Sequence, residues 1–268
     1  MSLLEALVLG VVQGFTEFLP ISSTAHLRIV PHWLGWSDPG TEFSAVIQLG
    51  TLLSVLLYFR EDVVRLTRAA LRSLAARKLF ATQDSRLAWS IAVGTLPVVI
   101  LGLGFKDWIK TEARQLWIIG AALIGLAVLL WLAERYSRQR CRIDTLGFWS
   151  VQMIGLCQAL ALVPGCSRSG STIMGGLLVG LDRAEAARFS FLLGLPAILG
   201  SGLFELWELS HSGFGDHGTL PLLLGIGSAF VSGWVAIEFL LRFLRTHSTL
   251  LFVLYRILLG SVILATLP

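Results

Sequence analysis

Six apolar windows of membrane-spanning length constrain this chain more than any other feature. A helix needs about 20 apolar residues to cross the hydrocarbon of a bilayer. Residues 43–60, 87–105, 115–133, 187–209, 219–241 and 249–267 all come close to that length. The composition agrees: 55% of the 268 residues are hydrophobic, 14% are charged, and the mean hydropathy is +0.76. Soluble domains carry about 25% charged residues, so water would not solvate this chain as a monomeric globule. The expected fold is an all-α polytopic membrane protein. Nucleic acid is excluded as a partner, because no basic cluster is interleaved with stacking aromatics.

Two further regions are apolar but interrupted. Residues 3–36 break at Pro20 and the hydroxyls that follow, and residues 147–182 break at "PGCSRSG", Pro164 to Gly170. Each has at least one arm too short for a full crossing. Irregular backbone survives at membrane depth only when buried in protein or lining a wet cavity. Both regions therefore read as re-entrant helical hairpins, which with the six windows makes six transmembrane helices plus two hairpins.

Orientation follows from lysine and arginine. The loops at 60–86 and 134–146 are rich in arginine, and Arg183, Arg188, Arg242 and Arg245 fall on the same side. Arg28, Lys106, Lys110 and Arg114 fall on the other. The bias predicts a multi-pass membrane protein with the arginine-rich side cytoplasmic and both termini outside. The basic loops read as topology signals; an anionic-lipid site is the alternative, which the sequence does not indicate. The opening Met-Ser-Leu-Leu-Glu is acidic where a secretory signal would be basic, so the first segment is expected to be retained. Cys141, Cys157 and Cys166 fit no zinc or redox spacing. His211 and His217 sit in a short polar stretch, "HSGFGDHG", that reads as a solvated turn.

The two broken regions resemble each other. "LGVVQGFTEFLPISS" lies over "IGLCQALALVPGCS": Gly10 matches Gly155 and Gln13 matches Gln158 at an offset of 145, and Pro20 matches Pro164 at 144. "FSAVIQL" from Phe43 lies over "FSFLLGL" from Phe189 at 146. One membrane domain is therefore expected to contain two repeats, about 1–133 and about 147–268. An odd number of crossings separates equivalent spans, so the copies are inverted. Inverted repeats with interrupted helices are how many transporters build a midplane site, and the two breaks are expected to face each other.

The second break carries Arg168, flanked by Ser167 and Ser169 and followed by Ser171 and Thr172. An arginine at membrane depth costs roughly 2.5–3.5 kcal/mol on insertion scales and needs an anionic partner. Hydroxyls, free N–H groups at a helix start and a guanidinium suit phosphate. The stretch is no Walker loop, lacking Gly-Lys-Ser/Thr, and no nucleophile elbow, since Ser169 replaces the second glycine. The structural alternative is a plain ion pair between Arg168 and Glu17.

The first break, "EFLPISSTAH", supplies complementary chemistry. Gln13 and Glu17 lie four apart and share a helix face. Glu17 can act as general base or hold a divalent cation. Ser22, Ser23 and Thr24 are nucleophile or phosphate-binding candidates. His26 can activate a hydroxyl or transfer a proton; its bland alternative is a helix cap.

"QGFTEFLPISSTAH" and "PGCSRSGST" together resemble the paired signatures of the undecaprenyl-diphosphatase (bacitracin-resistance protein) family, and the likeness in length, span order and repeat covers nearly the whole chain. The resemblance implies hydrolysis of a C55 isoprenyl diphosphate to the monophosphate at the outer face of the bacterial plasma membrane, which recycles the carrier for cell-wall synthesis. It implies Glu17, Ser23, His26 and Arg168 as catalytic residues. Ser22, Thr24, Ser167, Arg168, Ser169 and Thr172 would hold phosphate, and a divalent cation, Mg²⁺ or Ca²⁺, would sit at Glu17 and Gln13. Gln13 stands where many members have glutamate, which weakens a two-acid metal site, and Ala25 replaces a common glycine. The expected partners are the lipid diphosphate and the bilayer, with the chain either a monomer or a homo-oligomer. The rival reading is a lipid-phosphate flippase or anion transporter on the same hairpins, which would bind phosphate without releasing it.

Overall fold

The computed structural model describes residues 1–212 and 218–266. Twelve α-helices follow one another among them: α1 (Leu3–Phe18), α2 (Ser23–Leu34), α3 (Gly40–Tyr58), α4 (Arg60–Ala75), α5 (Gln83–Gly104), α6 (Lys106–Lys110), α7 (Leu116–Tyr136), α8 (Phe148–Ala159), α9 (Arg168–Leu178), α10 (Arg183–Ser212), α11 (Thr219–Thr246) and α12 (Leu250–Ala265). Among the described residues the only β-type contact is an isolated bridge between Cys141 and Leu181.

Four of the expected windows are continuous helices long and apolar enough to cross a membrane: α5, α7, α11 and Arg183–Phe204 of α10. The first window ends at a bend of 81° between α3 and α4, so α3 reaches that length only with its bent neighbour. The last, α12, has 16 residues, about 24 Å of helix at 1.5 Å per residue. The polar turn expected around His211 and His217 falls at 213–217, outside the described residues, and His211 belongs to the end of α10. The spans carry large apolar side chains on the outside, among them Leu103, Leu223, Leu254 and Leu258. In water that pattern would be unstable; against acyl chains it costs nothing.

Both interrupted regions are pairs of short helices, and proline sets the breaks. The residue before proline is pushed out of the helical region: Leu19 ends α1 with φ −65°, ψ 140°, and Val163 stands extended before Pro164 at φ −80°, ψ 115°. The second arms restart in the same way. Ser22 and Ser167 are the N-caps of α2 and α9, with positive φ of 77° and 64°. Each serine hydroxyl accepts from an N–H three residues on, Ala25 and Gly170, and lies 3.1 Å from a hydroxyl two residues on, Thr24 and Ser169. Non-glycine residues with positive φ are uncommon, so two matched serines 145 positions apart carry the repeat down to backbone conformation. The one-residue slip at Pro20 and Pro164 reflects one residue fewer before Pro164, and an extra residue between proline and cap restores the offset of 145 at the serines.

The first arms explain the matched glycines. α1 packs along α11, and a Cβ on Gly10 would stand 2.4 Å from the Gly225 carbonyl oxygen. α8 packs along α5, and a Cβ on Gly155 would stand 2.2 Å from the Gly94 oxygen. Each hairpin thus leans on the other half of the chain through a close backbone crossing. Beneath the site, Phe18 and Phe191 meet edge to face at 5.3 Å, both fully buried.

Candidate active site

The two breaks touch directly. Ser169 Oγ donates to the Leu19 carbonyl at 3.1 Å, and the Gly165 N–H donates to Thr24 Oγ1 at 3.4 Å. Across this seam Arg168 Nη2 reaches Glu17 Oε1 at 3.2 Å. Both side chains are largely buried, 13% and 6% exposed, while Thr24 at the rim is exposed.

Glu17 is the hub. Its Oε2 accepts from Ser23 Oγ at 2.7 Å and Gln13 Nε2 at 3.1 Å, and its Oε1 also accepts from Gln48 Nε2 at 3.5 Å. Gln13 and Glu17 do share a helix face, and the i,i+4 amide holds the carboxylate toward Ser23. A short O–H···O⁻ bond of this kind aligns a hydroxyl for proton transfer to the carboxylate.

His26 does not face Ser23. Its Nδ1 lies 2.7 Å from the Ser22 carbonyl oxygen, which can only accept, so Nδ1 carries the proton. The other nitrogen, Nε2, lies 2.6 Å from the Tyr255 hydroxyl. The two rings stack at 5.7 Å with 8° between planes.

Arg168 is only partly used. Nη2 serves Glu17, whereas Nε and Nη1 are buried without a hydrogen-bond partner. A plain ion pair would not leave two charged donors bare, because a buried unmatched donor costs about 1–3 kcal/mol. The guanidinium fits where it does because residue 194 is glycine: a Cβ there would stand 1.4 Å from Nη1.

Several expected phosphate ligands have structural engagements of their own. Ser22 and Ser167 cap helices. Thr172 Oγ1 donates back toward the Arg168 and Ser169 carbonyls and lies beside Ser190. Ser171 Oγ is fully buried and unpartnered. As to metal, no three His, Cys, Asp or Glu side chains gather among the described residues. Glu17 is the single acid at this seam, already faced by Arg168. The donor set fits a cation only if substrate phosphates complete it, the usual manner for Mg²⁺.

A family model described as bacitracin resistance protein BacA matches residues 6–262. The chain belongs to that family. A protein of Myxococcus xanthus (strain DK1622) named undecaprenyl-diphosphatase is 52% identical over 267 residues, covering 100% of this chain and 90% of the relative. One of the same name from Chlorobium chlorochromatii (strain CaD3) is 50% identical over 272 residues, covering 98% and 96%. Another, from Chloroherpeton thalassium (strain ATCC 35110 / GB-78), is 49% identical over 278 residues, covering 100% and 97%.

This member of the family places four further residues at the seam that the motifs did not reveal. Gln48 supports Glu17, Gly194 makes room for Arg168, and Tyr255 meets His26. The fourth is Arg256, fully buried on α12. Its guanidinium donates to the carbonyls of Pro20 at 3.1 Å, Cys166 at 3.3 Å and Gly165 at 2.9 Å, and to Leu123 and Ala122 on α7. One cation thus ties both breaks to the wall behind them. A signal existed for two of these: Gln48 and Gly194 occupy matching places, 146 apart, in the aligned segments "FSAVIQL" and "FSFLLGL". Arg256 stood out only as an arginine inside an apolar window, and nothing in the sequence marked Tyr255.

Proposed function

We propose that this chain hydrolyses undecaprenyl diphosphate to undecaprenyl phosphate and inorganic phosphate. Membership of the family and full-length relatives of that name support the reaction. The observation in this molecule that carries the reading is the pair of bare donors on Arg168 beside a Ser23–Glu17 hydrogen bond. Guanidinium donors not used by Glu17 suit phosphate oxygens, and the hydrogen-bonded hydroxyl supplies a nucleophile next to its base.

In the proposed course, Ser23 Oγ attacks the terminal phosphorus and gives its proton to Glu17. The Ser23 O–P bond forms as the anhydride P–O bond breaks, and the lipid monophosphate leaves. Glu17 passes that proton on to the departing lipid monophosphate; water then attacks the phosphoserine, its proton going to Glu17 and from there to Ser23 Oγ as inorganic phosphate is released. Arg168 and the N–H groups starting α9 stabilise charge on the equatorial oxygens, the chief requirement of phosphoryl transfer. Thr24 lines the seam at which the diphosphate would enter, and Ser22, Ser167, Ser169 and Thr172 hold its backbone shape. His26, with Nδ1–H fixed on Ser22, presents Nε2 to the Tyr255 hydroxyl as a proton-accepting route. A divalent cation, Mg²⁺ or Ca²⁺, would be held by Glu17, the Gln13 amide oxygen and the phosphates themselves. When bound it supplies charge neutralisation.

The architecture in this proposal has α3, α5, α7, α10, α11 and α12 as spans, with α1–α2 and α8–α9 as re-entrant hairpins of two inverted repeats. The matched serine caps and the reciprocal glycine crossings support it. The arginine bias supports a site open to the outer face of the plasma membrane, with both termini on that side. The isoprenyl tail would lie among the exposed leucines, where each buried CH₂ contributes about 0.8 kcal/mol.

The deciding experiment is phosphate release from undecaprenyl diphosphate by purified protein in detergent, beside the Arg168→Ala variant. Turnover that collapses in the variant supports the reading. Binding of the diphosphate with no release by the unaltered protein would instead describe a flippase or transporter.

A further inference from the structure

We infer that the outer face of α4 is a binding site for an anionic phospholipid, distinct from the seam that holds Glu17 and Arg168. The helix leaves α3 at 81°, so it runs nearly at right angles to a span. Asp62, Leu66 and Ser73 point into the protein and are buried. On the remaining surface Arg60, Arg68 and Arg72 are exposed, interspersed with Val64, Leu71 and Leu74, exposed by 43%, 62% and 54%. A helix at the edge of a bilayer with cations beside bare aliphatic side chains has the make-up of an interfacial anchor.

The cations border a groove of about 860 Å³ between α4 and the turn into α5, which also takes in Thr82. Two acids share it. Asp84 is already engaged by Arg65, which pairs with Asp62 as well. Glu61 remains, against three arginines that show no hydrogen bond or ion pair among the described residues. Arg60 also borders a second groove, of about 590 Å³, where Arg245 and the aromatic side chains of Tyr58 and Trp234 are found. Tyrosine and tryptophan sit characteristically at headgroup level. Neither groove includes Glu17, Ser23, His26 or Arg168.

Orienting a protein in the membrane requires basic residues in a loop; it requires neither a groove nor aliphatic side chains next to them. The combination selects a ligand with a phosphate and acyl chains, and the excess positive charge selects a headgroup that is negative overall. The interaction should weaken with salt, since the arginines are exposed.

The test uses the full chain purified from vesicles of phosphatidylcholine with phosphatidylglycerol, followed by mass spectrometry of the intact protein to weigh retained lipid. Phosphatidylglycerol should be kept in preference to phosphatidylcholine. Arg60→Ala/Arg68→Ala/Arg72→Ala should lower that retention by about tenfold or more, since each removes a cation near the charged headgroup. Arg135→Ala/Arg138→Ala/Arg140→Ala removes as much charge from another loop and should leave retention unchanged. Equal loss in both triple variants would reduce the effect to bulk charge and overturn the site. So would equal retention of the two lipids, or displacement of the lipid by inorganic phosphate alone. Thermal unfolding of each variant identifies any that has lost its fold, and Arg68→Gln/Arg72→Gln then replaces it with the same expectation.

Discussion

Ser23 donates its hydroxyl to Glu17 at 2.7 Å, while His26, one turn further along the same helix, faces Tyr255 instead. The acid, not the imidazole, is therefore the group placed to take the serine proton. Ser23→Ala should lower kcat by about 10²-fold or more, the scale of a positioned base and its nucleophile, with KM little changed if Arg168 holds the phosphate as proposed. Glu17→Gln should do the same. Initial rates of phosphate release across substrate concentrations give both constants, and an unaltered kcat in Ser23→Ala would remove the serine from the chemistry.

Tyr255 offers a narrower test. Tyr255→Phe keeps the ring that stacks on His26 and deletes only the hydroxyl at 2.6 Å from Nε2. One net hydrogen bond is worth about 0.5–1.5 kcal/mol, so kcat should fall by about three- to tenfold, and the pH–rate profile should move as His26 loses its partner. A profile superimposable on that of the unaltered protein would show that the contact is packing alone.

How far this arrangement could be read from the sequence varied with the physics of each part. Proline and the serines after it forecast both breaks, because the restriction before proline is local and steric. The approach of the two breaks was legible through the 145-residue repeat, a long-range inference that only internal symmetry allows. Side-chain direction was not. Nothing in "SSTAH" tells that Ser23 turns to Glu17 while His26 reaches a tyrosine 229 positions away, since that depends on where α12 packs. Helix ends at the membrane were blurred as well. The window at 43–60 gave no sign of the bend at Phe59, because the amphipathic pattern of α4 begins where the apolar run stops.

Arg256 separates architecture from chemistry. It touches carbonyls of both breaks and of α7, but not Glu17 or Ser23. Arg256→Met should leave those five acceptors bare at about 1–3 kcal/mol each and lower the apparent Tm in detergent by more than about ten degrees. Arg256→Lys, with three donors in place of five, should recover part of the loss. Activity in the lysine variant should follow the recovered stability. A methionine variant as stable as the unaltered protein would mean that the carbonyls find other partners, and that the clamp is not what holds the breaks together.

Asp62 predicts how the protein responds to acid. It is nearly buried where α4 meets α10, with Arg188 Nη2 at 2.6 Å and Arg65 Nη2 at 2.9 Å. Burial alone would raise its carboxyl pKa, but the hydrogen bonds from Arg188 and Arg65 outweigh that and hold it below the ordinary 3.8. A depressed pKa in the folded state means that unfolding takes up a proton in acid. The stabilisation is thus complete above the unfolded value and fades as pH falls through the lower folded one. Both arginines are partly exposed, which screens the gain and keeps it modest. Asp62→Asn should lower the apparent Tm by a few degrees at neutral pH, and the gap should close as the pH is taken progressively below the ordinary 3.8. Thermal unfolding of both proteins across that range measures it. A gap that stays constant, or opens in acid, would show that Asp62 does not join α4 to α10 as an ion pair.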